Sequence, residues 1–202
     1  MPFAATQPWG IFQNGSGKDV NRPSTMGRRR LLAGITGGLV ALAAGRVEAL
    51  QPPPAPIGTG HLELFAPATG ERLALDYRRG AAGRPDDAAL RALAHFFRDW
   101  HQDATGPIDT ALLDTLSELQ RRVDDRSIHL TCGFRTARTN RSVGGERNSL
   151  HLSGRAADIR VPGITTSRLY RTLLQMEPGG VGLYVHQGFC HVDTGDVRRW
   201  EG

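Results

Sequence analysis

The chain has 202 residues, 39% of them apolar, and a formal net charge of +5; that length suits one domain of about 150 residues with additional segments. The charge is unevenly placed: residues 1–50 carry six basic and two acidic groups, a net +4, and the remaining 152 residues hold 19 and 18, a net +1. A near-neutral remainder lacks the clustered basic face that a phosphate backbone requires, which excludes nucleic acid as a partner, and two cysteines are too few for a disulfide framework.

The basic N-terminus has its own reading. "MGRRRLLAGITGGLVALAAGRVEA" has a basic start, an uncharged run from Leu31 to Gly45 and a small-residue end at Ala49, the pattern of an export signal. The run falls short of the ~20 apolar residues of a membrane span, so no span is expected after processing; an uncleaved anchor is the alternative. Arg28-Arg29-Arg30 directly before it resemble a twin-arginine signal, and Met26 is the expected start. Residues 1–49 are thus read as an N-terminal extension and signal peptide, and residues 50–60, containing "QPPPAPIGTG", as a Pro-rich spacer. Residues 61–202 are the expected domain, working in the periplasm.

Within that domain, "HLELFAPATGERLALDYRR" alternates apolar and polar residues around Thr69-Gly70 and predicts a β-hairpin with Leu62, Leu64, Leu73 and Leu75 on one face. The spacing of Leu90, Leu93, Ala94, Phe97 and Trp100 after Pro85-Asp86 predicts a helix. A second amphipathic helix is expected from about Asp109 to Val123, with Leu112, Leu113, Leu116, Leu119 and Val123 as its apolar face. "SIHLTCGFR" reads as a short strand ending at Gly133, "TARTNRSVGGERNS" as a polar loop, and "AADIRV" as another strand. "TTSRLYRTLLQM" reads as a helix with Thr165 or Thr166 as N-cap. "GGVGLYV" and "FCHVDTG" read as a closing hairpin about a turn at His186–Gly188. The order implies an α+β domain with a mainly antiparallel sheet and flanking helices.

Three residues stand out for chemistry. His151 opens a short segment, Gly154 lets the chain turn, and Asp158 lies on the strand that follows. His191 lies on the last strand, where alternation puts it on the same face as Asp193. Two imidazoles and one carboxylate are a three-ligand set for catalytic zinc, with a fourth position left for water. Taken singly, each is as well explained as a packed histidine or a turn aspartate. His61, His95, His101 and His129 have no such company.

"SLHLSGRAADIRVPG" followed by "GGVGLYVHQGFCHVDTGDVRRW" resembles the YcbK-like branch of the zinc D-Ala-D-Ala carboxypeptidase superfamily, the LAS-type metallopeptidases. The resemblance covers about Leu62 to Trp200. It implies a LAS/hedgehog-like zinc peptidase fold, with His151, Asp158 and His191 in the H-x6-D and distant H positions of the Zn²⁺ ligands. "TCGFRT" resembles the family's T-S-G-Y-R-S segment, so Arg135 is expected to face the site and bind a substrate carboxylate or carbonyl. The implied activity is hydrolysis of peptide bonds in peptidoglycan stems or cross-links by a monomeric enzyme. D-Ala-D-Ala carboxypeptidase activity and a non-catalytic peptidoglycan-binding module are the alternatives.

The sequence departs from that pattern at several places. Where some relatives have a Glu three residues before the last ligand, this chain has Gly188. Asp193 is then the first choice for general base, with orientation of a ligand as its alternative role and His186 as a lesser candidate. Phe134 replaces the usual Tyr, and the loop after Asn140 is short. Cys132 and Cys190 stand where Ser and an aliphatic residue are usual. Their paired departure, in an exported protein, implies a disulfide between them, against the alternative of two buried thiols.

Overall fold

A computed structural model describes residues 59–78 and 83–202. The signal, the start at Met26 and nearly all of the Pro-rich spacer lie outside the described residues. The hairpin forms as expected: β1 (His61–Ala66) and β2 (Glu71–Asp76) pair antiparallel with Leu62 opposite Leu75 and Leu64 opposite Leu73. Helix α1 (Asp87–Phe96) starts where Asp86 accepts a hydrogen bond from the Ala89 N–H, satisfying one of the free donors of a helix start. It ends earlier than its apolar spacing implies. Leu93, Phe96 and Phe97 are buried, but Trp100 lies beyond the helix, 41% exposed and stacked on His101 at 3.6 Å.

Helix α2 (Thr110–Arg122) matches its expected bounds, with Asp109 accepting from the Ala111 N–H and Val123 at the C-cap. Leu112, Leu113, Leu116 and Leu119 have no exposed surface; each such side chain contributes roughly 1.5–3 kcal/mol of burial free energy. Strand β3 (Ile128–Cys132) follows. The segment expected as a polar loop contains a short helix, α3 (Ala137–Ser142), capped by Thr136 accepting from the Thr139 N–H. Asn140 holds the chain after it, donating to the carbonyls of Gly145 and Glu146. A 3-10 turn at Leu150–Ser153 leads into β4 (Ala156–Arg160). Helix α4 (Thr166–Leu174), capped by Thr165, precedes the hairpin of β5 (Gly180–Tyr184) and β6 (Phe189–Asp193). A last strand, β7 (Arg198–Glu201), has no counterpart in the sequence reading.

The described residues form an α+β unit on one seven-stranded sheet, in the order β2-β1-β3-β4-β6-β5-β7. The expected α+β class holds and the sheet is mixed: β1–β3 and β5–β7 pair parallel, and the other four pairings are antiparallel. The long crossover through α1 and α2 returns β3 alongside β1 in the same direction, as parallel pairing requires. β7 reverses after β6 but docks outside β5, which already runs that way. One face of the sheet, with Leu62, Leu64, Ile128, Leu130, Ile159, Val181, Leu183, Cys190 and Val192, is buried in the apolar core.

A bulge decides which side chain joins the other face. Leu130 pairs with Ile159 but Cys132 pairs with Asp158, so β3 advances two residues while β4 advances one. The extra residue turns Cys132 off the core face and onto that of Asp158. This overturns the implied disulfide. Cys132 and Cys190 are free thiols. β4 lies between their strands, which is about 9.5 Å of separation at two strand spacings, beyond the ~7 Å a bridge can span. Cys190 lies instead on the core face with Ile159, 3.3 Å from the Thr166 carbonyl, and burial pushes its thiol pKa up to about 12.

Gly154 ties the 3-10 turn to α2. It sits at φ +66°, its carbonyl accepts from the Asp109 N–H at 3.0 Å, and a Cβ there would run into the Pro107 carbonyl. The left-handed backbone alone costs other residues about 1–2 kcal/mol. Gly154→Ala should therefore lower unfolding free energy by at least about 2 kcal/mol in urea denaturation. An unchanged midpoint would show that the turn has room to relax.

Candidate metal centre

The bulge and the strand register set up two side-chain rows across the sheet. In the first, Cys132 is opposite Asp158, Asp158 opposite His191, His191 opposite Gly182 and Gly182 opposite Trp200. In the second, Ala156 is opposite Asp193, and Gly180 is opposite Arg198. Paired residues share a face, so one surface of the sheet carries Asp158, His191, Asp193, Arg198 and Trp200. His151 comes to it from the 3-10 turn, whose geometry is closed by Gly154.

The three residues expected as ligands meet. Nε2 of His151 lies 3.2 Å from Nδ1 of His191 and 3.3 Å from Oδ1 of Asp158, and the same Oδ1 lies 2.9 Å from Nδ1 of His191. A tetrahedral ion with bonds of about 2.0–2.1 Å has ligand-to-ligand edges of about 3.3 Å, so this donor triangle fits one. The outer nitrogens are fixed as well. His151 Nδ1 donates to the Gly133 carbonyl at 2.7 Å and His191 Nε2 donates to Asp193 Oδ2 at 2.9 Å. Each bond places the proton on the outer nitrogen and leaves the inner lone pair aimed at the triangle. His151 and Asp158 are 2% and 5% exposed, so the donors face little competing water.

A second grouping overlaps the first: Cys132 Sγ, His151 and Asp158 offer ligand atoms within 4.8 Å of one another. Its thiol is 4.0 Å from His151 Nδ1, the nitrogen already bound to Gly133. The triangle through Nε2 is tighter and uses the free lone pairs, so it is the better fit.

Burial would lower the His151 pKa, but the Asp158 carboxylate and Cys132 outweigh it and raise it to about 10. Burial would raise that of Asp158, but the two imidazoles hold it well below the usual carboxylate range. Arg135 completes the ring: Nη2 donates to Asp158 Oδ2 at 2.6 Å and Nε to Cys132 Sγ at 2.9 Å. Sequence reasoning placed Arg135 at the site. The contact with Asp158, one of the three expected ligands, and the part of Cys132 in seating it emerge only from the fold. Nη1 is used by neither contact.

Asp193 has no exposed surface. Oδ1 accepts from the N–H groups of Gly180 and Gly195 and from Arg198 Nη1, and Oδ2 accepts from His191 Nε2 and Arg198 Nη2. His186 is exposed in the turn between β5 and β6. Arg198 and Trp200 were not singled out from sequence; their period-2 spacing in "RRW" was the available signal.

The three donors are placed so that they could hold one metal ion, and comparison with known proteins gives the family. The family model described as peptidoglycan L,D-endopeptidase MepK matches residues 55–200, and the chain belongs to that family. It is 34% identical over 181 residues to the peptidoglycan L,D-endopeptidase MepK of Escherichia coli, covering 86% of this chain and 96% of that protein; the Shigella flexneri protein of that name matches equally. A probable peptidoglycan L,D-endopeptidase MepK of Haemophilus influenzae is 33% identical over 141 residues, 66% of this chain and 75% of that protein.

The buried Asp193 makes acid stability a test of this geometry. Burial would raise its pKa, but the bonds from His191, Gly195 and Gly180 lower it from 3.8 to about 2. A depressed carboxylate contributes stability that is present above its unfolded pKa and lost as pH falls through the folded one. Metal-free protein should therefore lose about 2 kcal/mol of stability between roughly pH 4 and 2 from this group. Asp193→Asn should flatten that part of the profile; an identical acid limb in the variant would mean that the carboxylate is not held as described.

Proposed function

We propose that the chain is an exported zinc peptidase that hydrolyses peptide bonds in peptidoglycan, acting on cross-links as an endopeptidase. The donor triangle of His151, Asp158 and His191 carries the reading, because two imidazoles and one carboxylate, which leave a fourth coordination position to fill, suit catalytic zinc. The family, and the peptidoglycan L,D-endopeptidase activity for which its relatives are named, supply the substrate class. When bound, such an ion supplies Lewis acidity toward an amide carbonyl and toward water.

The chain's own groups do the rest. His151 and His191 present their lone pairs because Gly133 and Asp193 hold the opposite N–H groups. Arg135 fixes the free oxygen of Asp158 and keeps Nη1 for a substrate carbonyl or carboxylate, where a planar fork is better suited than an ammonium. Asp193 is assigned the orienting role rather than that of general base, since both of its oxygens are occupied and shielded from water. The general base is left to a group that the donor triangle does not include.

Digestion of purified muropeptides, read by mass spectrometry, tests this. The wild-type chain should split cross-linked dimers, and His151→Ala, Asp158→Ala and His191→Ala should each abolish splitting along with stoichiometric zinc. Arg135→Lys should lose most turnover, by about 10²-fold or more. Release of free D-Ala from monomers alone would point to a carboxypeptidase, and no product at all to a binding module.

The periplasm and the twin-arginine route belong to the same proposal, supported by Arg28-Arg29-Arg30 before the uncharged run. Among the described residues, no helix is long and apolar enough to cross a membrane. Replacing the three arginines with lysine should hold full-length precursor in the cytoplasm; unchanged export in fractionated cells would require another route.

A further inference from the structure

β5 separates β6 from β7, so side chains on those two strands should be two strand spacings apart, about 9.5 Å. They nevertheless touch. Arg198 on β7 reaches Asp193 at the end of β6 with both terminal nitrogens, at 3.2 Å to Oδ1 and 2.8 Å to Oδ2. Trp200 on β7 lies against the His191 ring, with centroids 5.2 Å apart. The route is over β5, which has glycine at the two positions underneath. A Cβ at Gly180 would strike the Asp193 carboxylate and lie 2.7 Å from Arg198 Nη1; one at Gly182 would lie 2.5 Å from the Trp200 ring. Neither glycine has a positive φ, so backbone freedom does not account for them. The space above them does.

We propose that β7 is a positioning element for the metal-binding histidine: Arg198 and Trp200 cross the bare saddle of Gly180 and Gly182 to fix Asp193 and the His191 ring, so that Nδ1 of His191 aims at the donor triangle. The inference rests on reading that triangle as a metal site. Arg198 acts through Asp193 and not on substrate. Its fork holds the carboxylate that accepts from His191 Nε2, while the guanidinium also sits 5.3 Å above the Trp200 ring, within the range of a cation–π contact. One edge strand thereby seats both the carboxylate and the aromatic wall beside the ligand. Outer partners of this kind change metal affinity about 10- to 100-fold when lost.

The test measures zinc affinity of the full chain by competition with a chromophoric chelator, together with the visible absorption of the cobalt(II)-loaded protein, which reports ligand geometry. Arg198→Ala should weaken zinc binding about 10- to 100-fold and shift the cobalt bands, and Arg198→Lys should recover only part of the loss. Gly182→Ala removes no polar group and should do the same by displacing Trp200, visible in near-ultraviolet circular dichroism. Arg199→Ala makes the same charge change on the same strand at an exposed position opposite Val181, and should bind zinc within twofold of wild type. Folded Arg198→Ala and Gly182→Ala proteins with wild-type affinity and cobalt spectrum would overturn the inference while leaving the metal site intact. A wild-type chain that holds no zinc would overturn the site reading, and this inference with it.

Discussion

The Asp158 carboxylate is the charge around which the site is organised. It is nearly buried, and an ionised carboxylate in such a place is tolerable only when it is paired and hydrogen-bonded. Its two oxygens divide the work. Oδ1 faces the two imidazole nitrogens and Oδ2 takes the Arg135 guanidinium. Every neighbour is therefore under a geometric demand: three groups from β6, the 3-10 turn and the loop after β3 must converge on one residue of β4. Removing any partner leaves charge uncompensated in a dry place, which couples the fold to the site.

The sheet meets that demand by local irregularity. Regular alternation along β3 would put Cys132 on the core face with Leu130; one bulged residue turns it toward Asp158 and Arg135. Regular side chains on β5 would keep β7 away from β6, and the two glycines remove them. Gly154 does the same for the turn carrying His151, where a left-handed residue lies against the Pro107 carbonyl. In each case a small departure from repeat geometry aims a polar group, while the opposite face of the sheet keeps an unbroken apolar surface against the helices.

That division explains what the sequence made legible. Elements that bury an apolar stripe were readable: α2 with Asp109 at its cap, the register of Leu62 and Leu64 against Leu75 and Leu73, and α4 behind Thr165. α3 has six residues and β7 has four, and both are polar, so neither carries a hydrophobic period. Trp100 fitted the spacing of α1 because spacing does not record where a helix stops. The bulge was invisible because a one-residue slip has no compositional mark, and the disulfide reading failed because strand order, which places β4 between the two cysteine strands, is equally unmarked. Among site residues, His151, Asp158, His191 and Arg135 were named through resemblance to a family, not through spacing alone. Arg198 and Trp200 act on Asp193 and His191 across a strand, a relation that only the strand order reveals.

In the proposed site the ion is held by two nitrogens and one carboxylate oxygen, with the Cys132 thiol left to Arg135. X-ray absorption at the zinc edge of the loaded full chain measures this directly. The expected result is nitrogen and oxygen scatterers at about 2.0–2.2 Å, unchanged in Cys132→Ser. A sulfur scatterer at about 2.3 Å that disappears in Cys132→Ser would contradict it, and would place the ion among Cys132, His151 and Asp158 instead.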